Sequence, residues 1–278
     1  MAGVCTSPCG LLFEAPMRSP LLLIHGFTDT ARTWDLLAPH LEDRYELLMP
    51  TLLGHHGGPA IPPDMPRPLE AMADELEREL DRAGIARVPI VGNSLGGWLA
   101  FMLAARGRAS GVLALSPAQG WPEDLPPAST RRQFAQAQRL APIGARVADR
   151  LGSRAGLRRL AFLRLVARPE RIPPPTAAAL IRGAADCQMY EPYSAQIESG
   201  DYRSQWDDLG VPTVIAWGTR DRTIPLTRCS AWFRDALPDA RWVDLPGCGH
   251  LPQLDDPELV AALVTGFMAS LQPAPSSG

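Results

Sequence analysis

Three short stretches of this chain carry the side chains that nucleophilic chemistry needs, and each is flanked by glycine. In Gly92-Asn93-Ser94-Leu95-Gly96-Gly97, a serine has a glycine two residues away on either side. A serine hydroxyl is weak until a turn exposes it and a base takes its proton. A Gly-x-Ser-x-Gly segment between a strand and a helix suits such a turn. The glycines relieve crowding, and the hydroxyl lies at a helix N-terminus, where N–H groups favour developing negative charge.

The base should be one of five histidines. His40 falls on a predicted surface helix, and His55 and His56 lie in a Gly-rich loop with few carboxylates nearby to complete a metal site. His25 ends a predicted buried strand, where it is expected to fix the following loop by hydrogen bonding. His250 sits in Gly247-Cys248-Gly249-His250, after the last predicted strand and before the last helix. That position overlooks the sheet edge that presents Ser94, so His250 is the expected base.

The acid that orients the histidine should lie at the same edge, between serine and histidine in chain order. Asp221 does, in Gly218-Thr219-Arg220-Asp221-Arg222-Thr223-Ile224-Pro225. Asp207 and Asp208 precede the strand, Asp244 lies within one, and Asp124 is a weaker option after the preceding strand. Acyl transfer also needs donors for the oxyanion. The expected donors are the backbone N–H groups of Leu95, after the nucleophile, and of Phe27, in the loop after the first strand. Asp29 nearby reads as a carboxylate capping that loop, with substrate contact as the other option.

The elements that must position these groups alternate. Apolar runs at Leu21–His25, Val88–Val91, Val112–Leu115 and Thr213–Trp217 read as buried strands, as do Tyr45–Met49 and Arg241–Leu245. Helices are expected over Thr33–Leu41, around Leu69, Met72, Ala73, Leu76 and Leu80 with Gly84 as the stop, after Ser94, over Leu226–Ala236, and after the cap Asp256 and Pro257. Such alternation implies a mainly parallel sheet with helices on both faces. From Trp121 to Trp206 it stops, and the segment reads as short helices broken by prolines. The expected organisation is a core of residues 1–120 and 207–278 with a helical lid of residues 121–206.

Taken in order, His25-Gly26, Gly54-His55 with Gly57, the serine turn, the Gly218–Pro225 turn and the Gly247–His250 loop resemble the α/β-hydrolase superfamily over nearly the whole chain. The resemblance implies an α/β-hydrolase fold and a serine hydrolase whose site is Ser94, His250 and Asp221. Asn93 before the serine and Gly96-Gly97 after it are similar to the hydrolases that cleave carbon–carbon bonds in ring-fission products. Those enzymes usually carry tryptophan after the histidine, where this chain has Leu251. An ester or lactone substrate is therefore the first expectation and a vinylogous diketone the second. A non-catalytic small-molecule receptor on the same fold is the alternative of another class.

Composition narrows the remaining classes. The net charge is −3, which gives no reason to expect nucleic acid. All 27 basic residues are arginine, a bias expected of a GC-rich bacterial genome. Residues 121–206 hold 13 arginines against 8 acids, which solvated helix faces or an anionic substrate would each explain. No apolar run approaches the roughly 20 residues that span a bilayer. Five scattered cysteines, Cys5 and Cys9 among them, read as free thiols of a reducing compartment. The expectation is a cytoplasmic enzyme with no metal and no cofactor, acting on an apolar or mildly anionic small molecule.

Overall fold

The computed structural model describes residues 18–121, 128–200 and 208–272. Six strands, β1 (Ser19–Ile24), β2 (Tyr45–Leu48), β3 (Val88–Asn93), β4 (Ala109–Leu115), β5 (Thr213–Gly218) and β6 (Arg241–Leu245), form one sheet in the order β2-β1-β3-β4-β5-β6. Every pairing is parallel. The chain moves outward from β1 to β2, then returns past β1 to β3. That reversal opens a crevice beyond the C-terminal ends of β1 and β3, where such sheets bind ligands.

Because side chains alternate along a strand, β1 feeds two cores. Leu22 and Ile24 join one face with α1 (Pro68–Arg82), α2 (Leu95–Ala105) and α8 (Leu226–Ala236), around Trp98, Trp217 and Phe233. Leu21 and Leu23 join the other with Trp34, Val264 and Phe267, the last two from α10 (Pro257–Ser270). Ten of the 11 residues of α2 are buried, so this helix is apolar all round and lacks a solvent face. The helix expected over Thr33–Leu41 is instead two 3-10 turns, Ala31–Trp34 and Ala38–His40. Pro39 accounts for the break, since it offers no N–H and its ring would strike the carbonyl four residues back.

Between β4 and β5 the described residues contain helices and no strand: α3 (Ala128–Arg146), α4 (Ala148–Ser153), α5 (Ala155–Phe162), α6 (Pro174–Ala185) and α7 (Tyr190–Ser199). Their own apolar cluster, with Phe162, Val166, Ile172 and Leu180, includes Leu251 and Leu254 from the segment after β6, α9 (Pro252–Asp255) among it. The insertion thus packs directly on the chain that carries His250. Among the described residues no helix is long and apolar enough to cross a membrane.

Candidate active site

Ser94 follows β3 and precedes α2 with φ 55° and ψ −117°, backbone that side chains rarely adopt. Its neighbours show why glycine is required on both sides. A Cβ at Gly92 would lie 2.2 Å from the Gly96 carbonyl oxygen, and one at Gly96 would lie 2.1 Å from the Ile24 carbonyl oxygen. The turn is held by Ser94 N–H donating to Leu115 O at 2.9 Å, while Ser94 O accepts from Gly97 and Ala118 at 3.0 Å each. The described non-glycine residues with positive φ are Thr28, Ser94, Ser116 and Gln119. All four stand just beyond β1, β3 or β4 at one edge of the sheet. Strain gathered at one place is the pattern of a functional site.

The histidine and acid meet at that edge. His250 Nδ1 donates to Asp221 Oδ2 at 2.8 Å, and both side chains are buried. Asp221 Oδ1 accepts the N–H groups of Thr223 and Ile224, each at 2.8 Å, which locks the carboxylate. The two turns are fitted closely, because a Cβ on Gly218 would lie 2.1 Å from the Gly249 carbonyl oxygen. Arg220 N–H also donates to Cys248 O at 2.9 Å. Asp208 is exposed before β5 and Asp244 is exposed within β6, whereas Asp124 and Asp207 lie outside the described residues.

Two cavities adjoin Ser94. One, of about 150 Å³, is lined by Phe27, Ser94 and Leu95 with Gln119, Tyr193 and Ile224 among others. The other, of about 550 Å³, is lined by Phe27, Ser94, His250 and Leu251 together with leucines of the insertion. Phe27 and Leu95, the expected oxyanion donors, therefore border the serine. A Cβ on Gly26 would lie 3.3 Å from Ser94 Cβ, so the loop after β1 packs directly on the turn.

The sequence profile described as the alpha/beta hydrolase family matches residues 21–263. The chain belongs to this family. The epoxide hydrolase EphH of Mycobacterium tuberculosis is 35% identical over 207 residues, covering 73% of this chain and 95% of that protein. A pimeloyl-[acyl-carrier protein] methyl ester esterase of Aromatoleum aromaticum is 28% identical, covering 89% and 97%. Among solved structures, a thermophilic esterase from Thermogutta terrifontis aligns with TM-score 0.62 at 22% identity over 92% of both chains. A 2-hydroxy-6-oxo-6-phenylhexa-2,4-dienoate hydrolase from Rhodococcus aligns with TM-score 0.71 at 20% identity over 91% of both. The last two show a common fold.

In this α/β-hydrolase the other histidines have structural work. His25 Nδ1 donates to Gly26 O at 2.8 Å and Nε2 accepts from Leu52 N–H at 3.0 Å, so it pins two loops. His55 packs edge-on against it, 5.1 Å between ring centroids, and burial pushes its imidazole down to about 4. His56 is exposed and pairs with Asp186 at 2.9 Å, while His40 is exposed on the second 3-10 turn. Asn93, noted above for its likeness to the carbon–carbon hydrolases, is fully buried and engaged in architecture. Its Nδ2 donates to Leu115 O and to His250 O, each at 3.0 Å. Among the described residues no three His, Cys, Asp or Glu side chains converge on a metal position.

Two residues with no local signal hold the histidine loop. Gln253 Nε2 donates to Thr33 Oγ1 at 3.0 Å and to Asn93 Oδ1 at 3.3 Å. Asp255, fully buried, accepts the N–H groups of Gly249 at 2.7 Å, Ala167 at 3.0 Å and Arg168 at 2.6 Å. One carboxylate thereby joins the loop before His250 to the insertion. A buried donor left without an acceptor costs about 1–3 kcal/mol. Asp255→Ala should lower stability by about 3 kcal/mol or more and reduce kcat at least roughly tenfold as the His250 loop loosens. Urea unfolding beside turnover checks this, and unchanged kcat in the folded variant would separate Asp255 from the site.

Asp29 caps its loop as expected, Oδ1 accepting the Thr30 N–H at 2.8 Å, but its Oδ2 is buried without a hydrogen bond. Desolvation raises this carboxyl from 3.8 to about 7, with the Thr30 bond opposing the rise. The folded chain then holds the proton more tightly than the unfolded chain does. Stability linked to neutral Asp29 is complete below about pH 3.8 and is lost as pH climbs to about 7. Asp29→Asn, which stays neutral, should melt above the wild type at pH 8, with the gap narrowing towards pH 4. A gap independent of pH in thermal melts would contradict the shift.

Proposed function

We propose that this chain is a serine carboxylic-ester hydrolase, of carboxylesterase or lactonase type, working through Ser94, His250 and Asp221. The observation that carries the reading is the His250 Nδ1–Asp221 hydrogen bond at the same sheet edge as a strained elbow serine. With Nδ1 engaged, Nε2 is the nitrogen left to act on Ser94. His250 takes the Ser94 proton as Oγ bonds to the ester carbonyl carbon, and the N–H groups of Leu95 and Phe27 hold the oxyanion. The carbonyl carbon then releases the alcohol oxygen, which receives the proton from His250. Water repeats the sequence on the acyl-enzyme, giving its proton to His250 and its oxygen to the acid, and Ser94 is restored. Asp221 stabilises the imidazolium in both halves. No cofactor enters these steps.

Residues 121–206 serve in this reading as a lid over the site, with the described helices supplying most of the larger cavity wall. The buried free thiols Cys187, Cys229 and Cys248 fit a reducing cytoplasm. The ester-cleaving relative supports an ester substrate. The relative named as an epoxide hydrolase introduces a second chemistry, but a serine alkoxide opening an epoxide would form an ether. An ether has no carbonyl for water to attack, so the enzyme could not turn over by this route.

Carbon–carbon cleavage of a vinylogous diketone is tested beside the ester. Turnover of p-nitrophenyl butanoate, a dienol-type diketone and an aryl epoxide should rank the ester first. Rapid cleavage of the diketone with slow ester turnover would overturn the ester assignment. Stoichiometric binding of the ester without turnover would favour a receptor.

A further inference from the structure

The two cavities beside Ser94 differ in size, in lining and in which catalytic groups they meet. From this we infer an orientation for the substrate: a short acyl group occupies the smaller cavity and a long apolar alcohol portion the larger. The inference rests on the ester reading above and adds the class of ester.

Direction follows from where the proton must go. The leaving oxygen receives its proton from His250, so the alcohol lies on the histidine side of the scissile bond. His250 lines the larger cavity and not the smaller one, together with its neighbours Thr223 and Leu251. The acyl substituent leaves the carbonyl carbon on the opposite side. There the smaller cavity begins, with Leu95 and Ile224 in its wall. Ser94 and Phe27 belong to both cavities, as groups at the reacting centre should.

The linings then set the substrate class. The larger cavity holds about 550 Å³, and its wall is mainly leucine, isoleucine, alanine and phenylalanine from the inserted helices, including Leu151, Leu157, Leu180 and Ile181. Asp29, Arg164, Thr28 and Thr223 are its polar members besides the catalytic pair. Long alkyl or terpenoid-like alcohols fit such a space, and each buried methylene adds to binding. Leu140 and Leu160 line the same cavity while remaining 55% and 71% exposed, so the apolar wall continues to the surface. A chain longer than the cavity can therefore extend outward along apolar surface.

The smaller cavity holds about 150 Å³, and its wall includes Arg131, Ser194 and Glu198 besides bulky apolar groups. Gln119, buried with φ 76°, donates from Nε2 to Tyr193 Oη at 2.6 Å across its wall. Tyr193 also packs at a tilt against Phe27, 4.4 Å between centroids. With about a quarter of the larger cavity's volume, this side holds an acyl group of a few carbons.

Two matched series separate the cavities. The first contains acetate esters of straight-chain alcohols from ethyl to decyl; the second contains ethyl esters of straight-chain acids over the same lengths. Each is assayed for kcat/KM on the wild type with Ser94→Ala as blank. The first series should rise about two- to fourfold per methylene, as burial of that group allows, to at least a hundredfold overall. The second should peak at a few carbons and then fall. Ile181→Trp, which narrows the larger cavity, should move the optimum of the first series to shorter alcohols without moving that of the second. A steeper rise with acyl length than with alcohol length would overturn the orientation while leaving the esterase intact. No Ser94-dependent turnover in either series would overturn both.

Discussion

Alanine at Ser94 is expected to lower ester turnover by at least about 10⁴-fold while the fold and its unfolding midpoint stay close to wild type. Removing the serine of a comparable triad has cost about 10⁶ in kcat. The lower bound here allows for residual catalysis from the oxyanion donors and from binding. The fold should persist because the turn is built by the backbone and its glycine neighbours. Ser94 O and N–H make the contacts to Ala118, Gly97 and Leu115, and alanine keeps all of them. Turnover in a folded Ser94→Ala protein within tenfold of wild type would remove Ser94 from the chemistry.

Asparagine at Asp221 is expected to cost at least about a hundredfold in kcat, and up to the 10⁴ measured for the same change in another serine triad. The geometry supplies the reason. Asp221 Oδ1 is fixed by the N–H groups of Thr223 and Ile224, so an asparagine oxygen will remain at that position. Its NH₂ group then faces His250 Nδ1, which must accept rather than donate. The ring proton moves to Nε2, and the nitrogen that should take the Ser94 proton is already protonated. Loss should therefore appear in kcat with little change in stability. Asp124→Asn, made in parallel, should cost little; the reverse ordering would move the acid to the chain after β4.

The parts of this site readable in the sequence are those written locally. Glycines around Ser94 and before Asp221 mark turns whose close backbone approaches admit no Cβ, those before His250 mark a third tight turn, and the strand–helix alternation places all three at one sheet edge. Contacts between distant segments leave no such mark. Asp255 looks like one more acid ahead of a helix, yet it gathers N–H groups from residues 88, 87 and 6 positions away. Gln253 joins Thr33 to Asn93 across 220 and 160 residues, and only the assembled fold brings them together. The contacts of Asn93 are hidden in the same way: its side chain donates to the carbonyls of Leu115 and His250 and accepts from Gln253. The Thr33–Leu41 segment has helical periodicity, but Pro39 decides its local geometry. Nor does the pattern of the insertion disclose that the space around Ser94 divides in two.

The account turns on Ser94 being a nucleophile made reactive by His250, and covalent labelling reads that directly. The protein is treated with an alkyl fluorophosphonate at neutral pH, digested, and the adduct is mapped by peptide mass spectrometry. One adduct per chain on Ser94 is predicted, absent from Ser94→Ala and strongly slowed in His250→Ala. An adduct on another residue, or full ester turnover by protein that carries no label, would contradict it.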